Sequence, residues 1–229
     1  MLPKMETPVY ELTLPSSGKK IKYRPFIVKE RKILLLALED GKPETIFNAL
    51  GEMFKLCTFG ECDIENMPII DSEFLFINIR NKSIGEDLDI FHTCTCGDDN
   101  EVRINMDNIE VEGENASKDI NLGNDLWITM NYPSLKNASI LSQDPTDDEI
   151  YTVIASCINN IIKSDAVFKA EESSITELKT FVEEMTQIQI DKLEDFFSAL
   201  PRIVVKGSYK CKCGKDNDVR IEGLENFFG

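Results

Sequence analysis

The sequence contains a single histidine, His92, and no long apolar run. Histidine is the usual general base of acyl-transfer sites, so its scarcity argues against most hydrolase triads. The longest apolar stretch, residues 33–38, is far shorter than the roughly 20 residues that span a bilayer. The first residues also lack the apolar core of a secretory signal. We therefore predict an intracellular protein without a membrane span and without a hydrolase triad.

Basic residues are scarce as well: 25 Lys and Arg stand against 41 Asp and Glu, which gives a net charge of −16. Such a chain repels phosphate backbones, so a nucleic-acid partner is disfavoured. Residues 18–32 depart from this balance, with seven basic residues against one acidic residue. A local positive patch on an acidic chain can orient the encounter with a protein partner. The candidate partner-binding residues in it are Lys19, Lys20, Lys22, Arg24 and Lys29.

Hydrophobic patterning predicts a mainly helical arrangement for the first 85 residues. Alternating apolar residues on either side of Pro-Ser-Ser-Gly-Lys predict a β-hairpin over residues 10–23. Helical spacing predicts three helices after it. The first, over residues 25–39, contains the stretch 33–38, which is apolar almost all round, and we expect this helix to be buried. The second helix carries Cys57 on its apolar face, so we expect this residue to be a core thiol. Asp71 is the predicted cap of the third helix.

Three helix starts are predicted in the second half of the chain. Thr146, Ser174 and Asp191 each precede a Glu by three residues, which is the pattern of a capping box. In the first of these helices the apolar stripe is predicted to run as far as Ile161 and to include Cys157 as a core residue. The prediction for this part of the chain is therefore helical.

An internal repeat is the most informative feature of the sequence. The stretch Cys-Thr-Cys-Gly-Asp-Asp-Asn-Glu-Val-Arg-Ile at residues 94–104 recurs at residues 211–221, with eight of eleven positions identical. Each copy predicts a knuckle, in which a strand ends in two cysteines, Gly allows the chain to reverse, and Asp-Asn begins the return strand. Two such knuckles are the chelating arms from which zinc ribbons are built.

The repeat predicts a structural Zn²⁺ site with four thiolate ligands, which leave no open position for catalysis. The predicted ligands are Cys94, Cys96, Cys211 and Cys213. One residue separates the thiols of each pair, whereas most zinc knuckles have two, so a redox-active thiol cluster and disulfides remain alternatives. The basic segment 201–221 keeps a nucleic-acid-binding zinc ribbon as a further alternative.

Together these patterns predict an α+β fold that is mainly helical and contains a small β module, similar to a zinc ribbon, formed by the two Cys-x-Cys-Gly knuckles. Residues 1–87 are the predicted N-terminal domain, a hairpin followed by helices. Residues 88–110 and 203–222 form the predicted discontinuous zinc-ribbon-like module. Residues 111–202 are the predicted inserted, mainly helical segment.

Three separated stretches, in this order and spacing, resemble the baseplate hub proteins of T4-like tailed bacteriophages. The stretches are Lys22-Tyr23-Arg24-Pro25-Phe26 with Lys29-Glu30 and Ile33-Leu34-Leu35, then Asp71-Ser72-Glu73-Phe74-Leu75-Phe76 with Ile79-Arg80-Asn81-Lys82-Ser83-Ile84-Gly85-Glu86, then the knuckle of Cys94 and Cys96. The resemblance covers residues 1–111 well and the remainder loosely.

The resemblance implies a non-enzymatic phage tail protein that acts by protein–protein interaction. It implies either a subunit of the baseplate hub or an assembly factor that chaperones other tail proteins. The partners would be other tail or baseplate hub proteins, met in the host cytoplasm during assembly or in the baseplate of the virion. Two other functions remain open at this point, a nucleic-acid-binding zinc ribbon and a thiol oxidoreductase.

Overall fold

The computed structural model describes residues 5–113, 117–141 and 144–227. The first four residues of the predicted N-terminal domain therefore lie outside the described residues, as do residues 114–116 and 142–143 of the predicted insert. In the described ranges, no helix is both long enough and apolar enough to cross a membrane.

Groups of consecutive strands and groups of consecutive helices follow one another along the chain. The strands are β1 Tyr10–Thr13, β2 Lys20–Tyr23, β3 Asp87–Thr93, β4 Asp99–Asn105, β5 Ile109–Glu112, β6 Asp119–Gly123, β7 Leu126–Met130, β8 Ile158–Lys163, β9 Ala166–Lys169, β10 Arg202–Lys210 and β11 Asp216–Ile221. The helices are α1 Val28–Asp40, α2 Pro43–Cys57, α3 Ile69–Ile84, α4 Leu135–Ala138, α5 Asp147–Cys157, α6 Ile175–Glu183 and α7 Gln187–Ser198.

The structure contains 39% helix and 29% strand, and the strands form several antiparallel sheets. The predicted mainly helical class is therefore wrong. The strands missed by the sequence patterns lie chiefly between residues 109 and 169, where β5, β6, β8 and β9 occur. In β8 the apolar residues Ile158, Ile161 and Ile162 are also spaced as in a helix, and cross-strand pairing decides between the two.

The chain divides into two compact units. The first unit comprises, among the described residues, 5–64, 70–112 and 202–227. The second comprises residues 65–69, 113, 117–141 and 144–201.

In the first unit, the predicted hairpin β1–β2 is confirmed, and its turn is fixed to α3 by a buried carboxylate. Asp71 accepts hydrogen bonds from the backbone N–H and the hydroxyl of Ser16. The helix begins two residues earlier, at Ile69, so the prediction that Asp71 caps it is wrong. Asp71 is only 2% exposed, and its contact with the distant turn explains why a local capping rule misplaced it.

The expectation that α1 is buried is also wrong. Leu35 and Leu36 in its apolar run are 46% and 54% exposed, while Leu34 and Ala37 face the core. The helix therefore buries only one side, although its stretch 33–38 is apolar almost all round.

The end of α3 is held by a buried guanidinium. Arg80, 4% exposed, donates hydrogen bonds to the carbonyl oxygens of Gly85 (2.9 Å) and Asp87 (3.1 Å). Asn81 donates to Asp107, and the Ser83 hydroxyl accepts from the backbone N–H of Phe26. Residues 80–83 belong to the second stretch that resembles the phage family. Their hydrogen bonds connect the end of α3 to β3, the strand that leads into the first Cys-x-Cys turn.

Two antiparallel sheets of the first unit carry the repeat. One is the hairpin β3–β4, and the other has the order β11-β10-β5. Arg202 at the start of β10 pairs with Glu112 at the end of β5, so the chain leaves and re-enters this sheet at neighbouring positions. Gly207 of β10 lets the buried Ile104 of β4 approach closely, because a Cβ at this glycine would lie 2.2 Å from the Ile104 Cδ1 atom.

The second unit packs helices on a four-stranded antiparallel sheet of order β6-β7-β8-β9. Its core contains the fully buried Ile128, Met130, Ala155 and Leu193. The capping boxes of Thr146 with Glu149 and of Ser174 with Glu177 are confirmed.

Two predictions in this unit are wrong. Helix α5 ends at Cys157, and Ile161 lies in β8, where it pairs with Ile128 of β7. Helix α7 begins at Gln187 with Thr186 as its N-cap, so Asp191 lies within the helix. A Thr followed three residues later by a Gln meets the same capping rule as the predicted pair.

Candidate metal centre

Two β-hairpins position the repeated cysteines with the same turn geometry. In the turn between β3 and β4, the backbone N–H of Cys94 donates to Asp98 O (2.9 Å) and that of Gly97 donates to Cys94 O (2.8 Å). The turn between β10 and β11 repeats both bonds, from Cys211 to Lys215 O and from Gly214 to Cys211 O, each at 2.9 Å. The two glycines have φ of 93° and 90°, a left-handed conformation that other residues rarely adopt.

The structure brings all four predicted cysteines together. Their Sγ atoms lie within 4.8 Å of one another. Across the two hairpins, the Cys94 and Cys213 sulfurs are 3.9 Å apart, and those of Cys96 and Cys211 are 3.7 Å apart. All seven cysteines of the chain are free, so the cluster consists of thiols at non-bonded distances.

The cluster is half sheltered from solvent. Cys94 and Cys211 are each 3% exposed, whereas Cys96 and Cys213 are exposed. The first residue of each pair therefore faces the protein and the second faces solvent, as expected for two equivalent turns that meet face to face.

The electrostatics of the cluster favour anionic sulfur at one position. A hydrogen bond from the backbone N–H of Cys96 lowers the pKa of the Cys94 thiol to about 6. At Cys96 a backbone hydrogen bond from Asp98 acts in the same direction, but desolvation and the neighbouring sulfurs outweigh it and raise the pKa of this thiol to about 12. Cys94 thus forms a thiolate readily, whereas Cys96 needs a positive ion nearby to ionise.

Side chains around the sulfurs pair across the two copies of the repeat. The Asn100 amide approaches Cys211 Sγ at 3.7 Å, and Cys94 Sγ lies 3.4 Å from the Asn217 Oδ1 atom. His92 Nδ1 and the Tyr209 hydroxyl are 2.9 Å apart. His92 and Tyr209 occupy equivalent positions, each two residues before the first cysteine of its copy of the repeat, but nothing in the sequence indicated their contact. The Asn residues were visible only as identical positions of the repeat.

Two cysteines outside the cluster are core thiols, as predicted. Cys57 is fully buried and Cys157 is 1% exposed. Burial raises the pKa of each of these thiols to about 12. Both therefore stay protonated and unreactive in the folded protein.

The structure separates the five predicted partner-binding residues into two kinds. Lys19, Lys20, Lys22 and Lys29 are exposed, and Lys20 forms a surface ion pair with Glu11 at 3.2 Å. Arg24 instead forms a bidentate ion pair with the buried Glu30, at 3.0 and 2.7 Å. Its guanidinium also donates to Pro25 O, so Arg24 serves the structure of the first unit.

Comparisons with known proteins place the chain in a phage family. No curated protein and no solved structure matches it. A family model described as T4 bacteriophage base plate protein matches residues 7–229, a span that includes both Cys-x-Cys turns. The resemblance to T4-like baseplate proteins is thereby confirmed over nearly the whole chain. The chain belongs to the T4 bacteriophage base plate protein family.

Proposed function

We infer that this baseplate protein is a non-enzymatic subunit or assembly factor of the baseplate hub, held together by a structural Zn²⁺. The single observation that supports the metal is the approach of four sulfurs from two distant hairpins to within 4.8 Å. A baseplate family protein belongs to an assembly built by protein–protein contacts, which supports the role.

The geometry fits a tetrahedral thiolate site. Sulfurs placed about 2.3 Å from a central Zn²⁺ are about 3.8 Å from one another. The two distances between sulfurs of different hairpins, 3.9 and 3.7 Å, agree with this value. Four thiolates select a thiophilic ion and fill its coordination sphere, so the ion supports the fold and carries out no chemistry.

The exposed lysines of the hairpin and of α1 support a docking role. Lys19, Lys20, Lys22 and Lys29 carry their charge on an otherwise acidic chain. We propose them as contacts to an acidic surface of another tail protein, because opposite charges speed and orient such encounters. Arg24 is left out of this surface, since Glu30 already binds both ends of its guanidinium.

Elemental analysis of the purified protein tests the metal. We expect one zinc per chain in the wild type and in Cys157→Ala, the control that removes a thiol outside the cluster. Cys211→Ser should lose most of the bound zinc. Metal-free wild-type protein with a thiol that reacts in thiol–disulfide exchange would instead favour the thiol oxidoreductase. Salt-dependent binding to DNA or RNA would favour the nucleic-acid-binding zinc ribbon.

Recovery of tail proteins from infected cells tests the hub role. Lys20→Glu with Lys22→Glu should reduce the hub proteins captured, whereas Lys55→Glu, a single charge reversal at an exposed residue of α2, should leave capture unchanged. Mass spectrometry of purified particles then separates the two forms of the role, because a subunit remains in the virion and an assembly factor does not. Undiminished capture by the double variant would contradict the docking surface.

A further inference from the structure

Strand β9 is an open sheet edge in the second unit. It is the last strand in the order β6-β7-β8-β9, and all four of its residues are exposed. Val167 and Phe168 are 61% and 55% exposed. An exposed apolar edge strand is a template for pairing with another strand, and proteins normally protect such edges.

The opposite edge of the same sheet shows that protection. The carbonyl oxygens of Asn121 and Leu122 in β6 accept hydrogen bonds from Lys192 (2.6 Å) and Gln189 (3.1 Å) of α7. The register of β6 also shifts between Asn121 and Gly123, a bulge that interrupts a regular edge. By contrast, β9 pairs with β8 in an unbroken register.

An apolar row leads across the sheet to β9. Trp127, Ile162 and Val167 are register partners on three neighbouring strands, so their side chains lie side by side on one face. Trp127 is 41% exposed, and Val167, at the end of the row, is the most exposed of the three. The row therefore ends in solvent at the point where a further strand would continue it.

The backbone of β9 presents hydrogen-bonding groups in the same direction. Ser164 and Asp165 form a two-residue turn, and Lys163 and Ala166, which flank it, are register partners. In a two-residue hairpin this flanking pair exchanges hydrogen bonds, and the next pair does not. Val167 and Lys169 consequently direct their N–H and C=O groups away from β8.

We propose that β9 pairs antiparallel with β9 of a second copy of this chain, with Val167 opposite Val167 of the second copy. This alignment keeps both sheets facing the same way, because a twofold axis normal to the sheet places each residue opposite one of the same face. It joins the two apolar rows into one that runs across six strands. It also pairs the outward backbone groups of Val167 in the two copies.

The neighbouring positions are complementary in the same alignment. Asp165 lies opposite Lys169 of the second copy, so opposite charges meet at both ends of the new pair. The small Ala166 lies opposite the large Phe168. In a different alignment, with each of the two strands shifted by one residue, Val167 would instead lie opposite Lys169 of the second copy. In the single chain Lys169 forms an ion pair with the exposed Glu171 at 3.4 Å. Breaking such a surface ion pair costs little free energy, so Lys169 is available to pair with Asp165 of the second copy.

Sedimentation velocity of the full chain over a range of concentrations tests the proposal. We expect a weak, concentration-dependent dimer, strengthened by salt because both copies carry a charge of −16. Val167→Lys places like charges opposite each other and should abolish the dimer. The matched control is Val111→Lys, which changes a 49% exposed valine of the edge strand β5 and should leave association unchanged.

A charge exchange tests the alignment itself. Lys169→Glu places two acidic side chains opposite each other and should weaken the dimer, and adding Asp165→Lys should restore it. In the dimer, hydrogen exchange at the amides of Val167 and Lys169 should slow with rising concentration, while that of exposed loop amides should not.

Three results would overturn the proposal. They are a chain that stays monomeric at every concentration, a dimer that tolerates Val167→Lys, and a chain that is monomeric alone but forms a Val167-dependent complex with a different protein. The proposal rests on β9 and is independent of both the hub role and the metal.

Discussion

The two units of this protein are held together by different kinds of contact. In the first unit, sulfurs 119 and 115 residues apart in sequence meet between two hairpins. In the second, the described residues come almost entirely from one continuous stretch and share an apolar core. A unit assembled from distant segments bears a larger loop-closure cost, which the proposed metal cross-link would offset. The continuous unit needs only local helix starts and a packed core.

Metal removal should separate the two units most clearly. In small zinc modules the ion contributes on the order of 10 kcal/mol, comparable with the whole stability of a typical domain. A thiophilic chelator should therefore unfold the first unit, seen as a partial loss of circular dichroism. Trp127 is the only tryptophan and lies in the second unit, so its fluorescence should stay native. Loss of both signals together, or of neither, would contradict the comparison.

The Arg24–Glu30 ion pair gives the next largest effect, again in the first unit. Arg24→Met leaves Glu30, 6% exposed, without its partner, and breaking such a pair costs about 3–5 kcal/mol. Denaturant unfolding followed by circular dichroism measures the loss. Replacing both residues, with Arg24→Met and Glu30→Leu, should recover most of it, because no charge is then left buried.

The pH dependence of the same pair has a definite sign. Burial raises the pKa of Glu30, but hydrogen bonds from Arg24 and the backbone N–H of Ile27 outweigh it, so the pKa lies below its ordinary value. The pair therefore stabilises the fold above the pKa of the unfolded chain, and this contribution is lost as pH falls through the folded value. The Arg24→Met protein should lack that acid-sensitive part of the stability.

In the second unit, Leu193→Ala is expected to cost about 2–5 kcal/mol by opening a cavity in the core. Leu193 is fully buried, while Ile188 on the same helix is 71% exposed. Ile188→Ala should therefore change the free energy of unfolding little, and Trp127 fluorescence reports both variants. Zinc content should be unchanged in each, since the cysteine cluster belongs to the first unit.

The smallest effect concerns a helix start. The Thr146 hydroxyl accepts from the backbone N–H of Glu149 at 3.3 Å, and Thr146→Ala should cost about 1 kcal/mol. Thr146→Ser keeps the accepting oxygen and should retain most of the stability. Equal losses in the two variants would show that the hydroxyl does not act as a cap.

Features with a short-range physical cause were predictable from sequence. The caps at Thr146 and Ser174 depend on groups three residues apart, and the cysteine turns repeat almost the same eleven residues. Because both turns share the Cys-x-Cys-Gly pattern, their convergence on one cluster could be predicted from the repeat and from the chemistry of thiolates.

Features decided by distant contacts were not predictable. Ile161 fits a helical stripe and a strand equally well, and pairing with Ile128 selects the strand. Asp71 has the chemistry of a cap, but Ser16, 55 residues away, engages its carboxylate. Arg24 belongs to a basic run, and only the structure shows that Glu30 holds it.

The pairing of Glu112 with Arg202 has a consequence for engineering. Partners in an antiparallel ladder lie about 5 Å apart, a gap that a two-residue reverse turn bridges. Excising residues 113–201 and joining the ends with Asn-Gly would keep this ladder intact and yield a miniature chain. Zinc retention by that miniature would show that the two hairpins bind the metal without the excised segment. Other segments could then be inserted between Glu112 and Arg202.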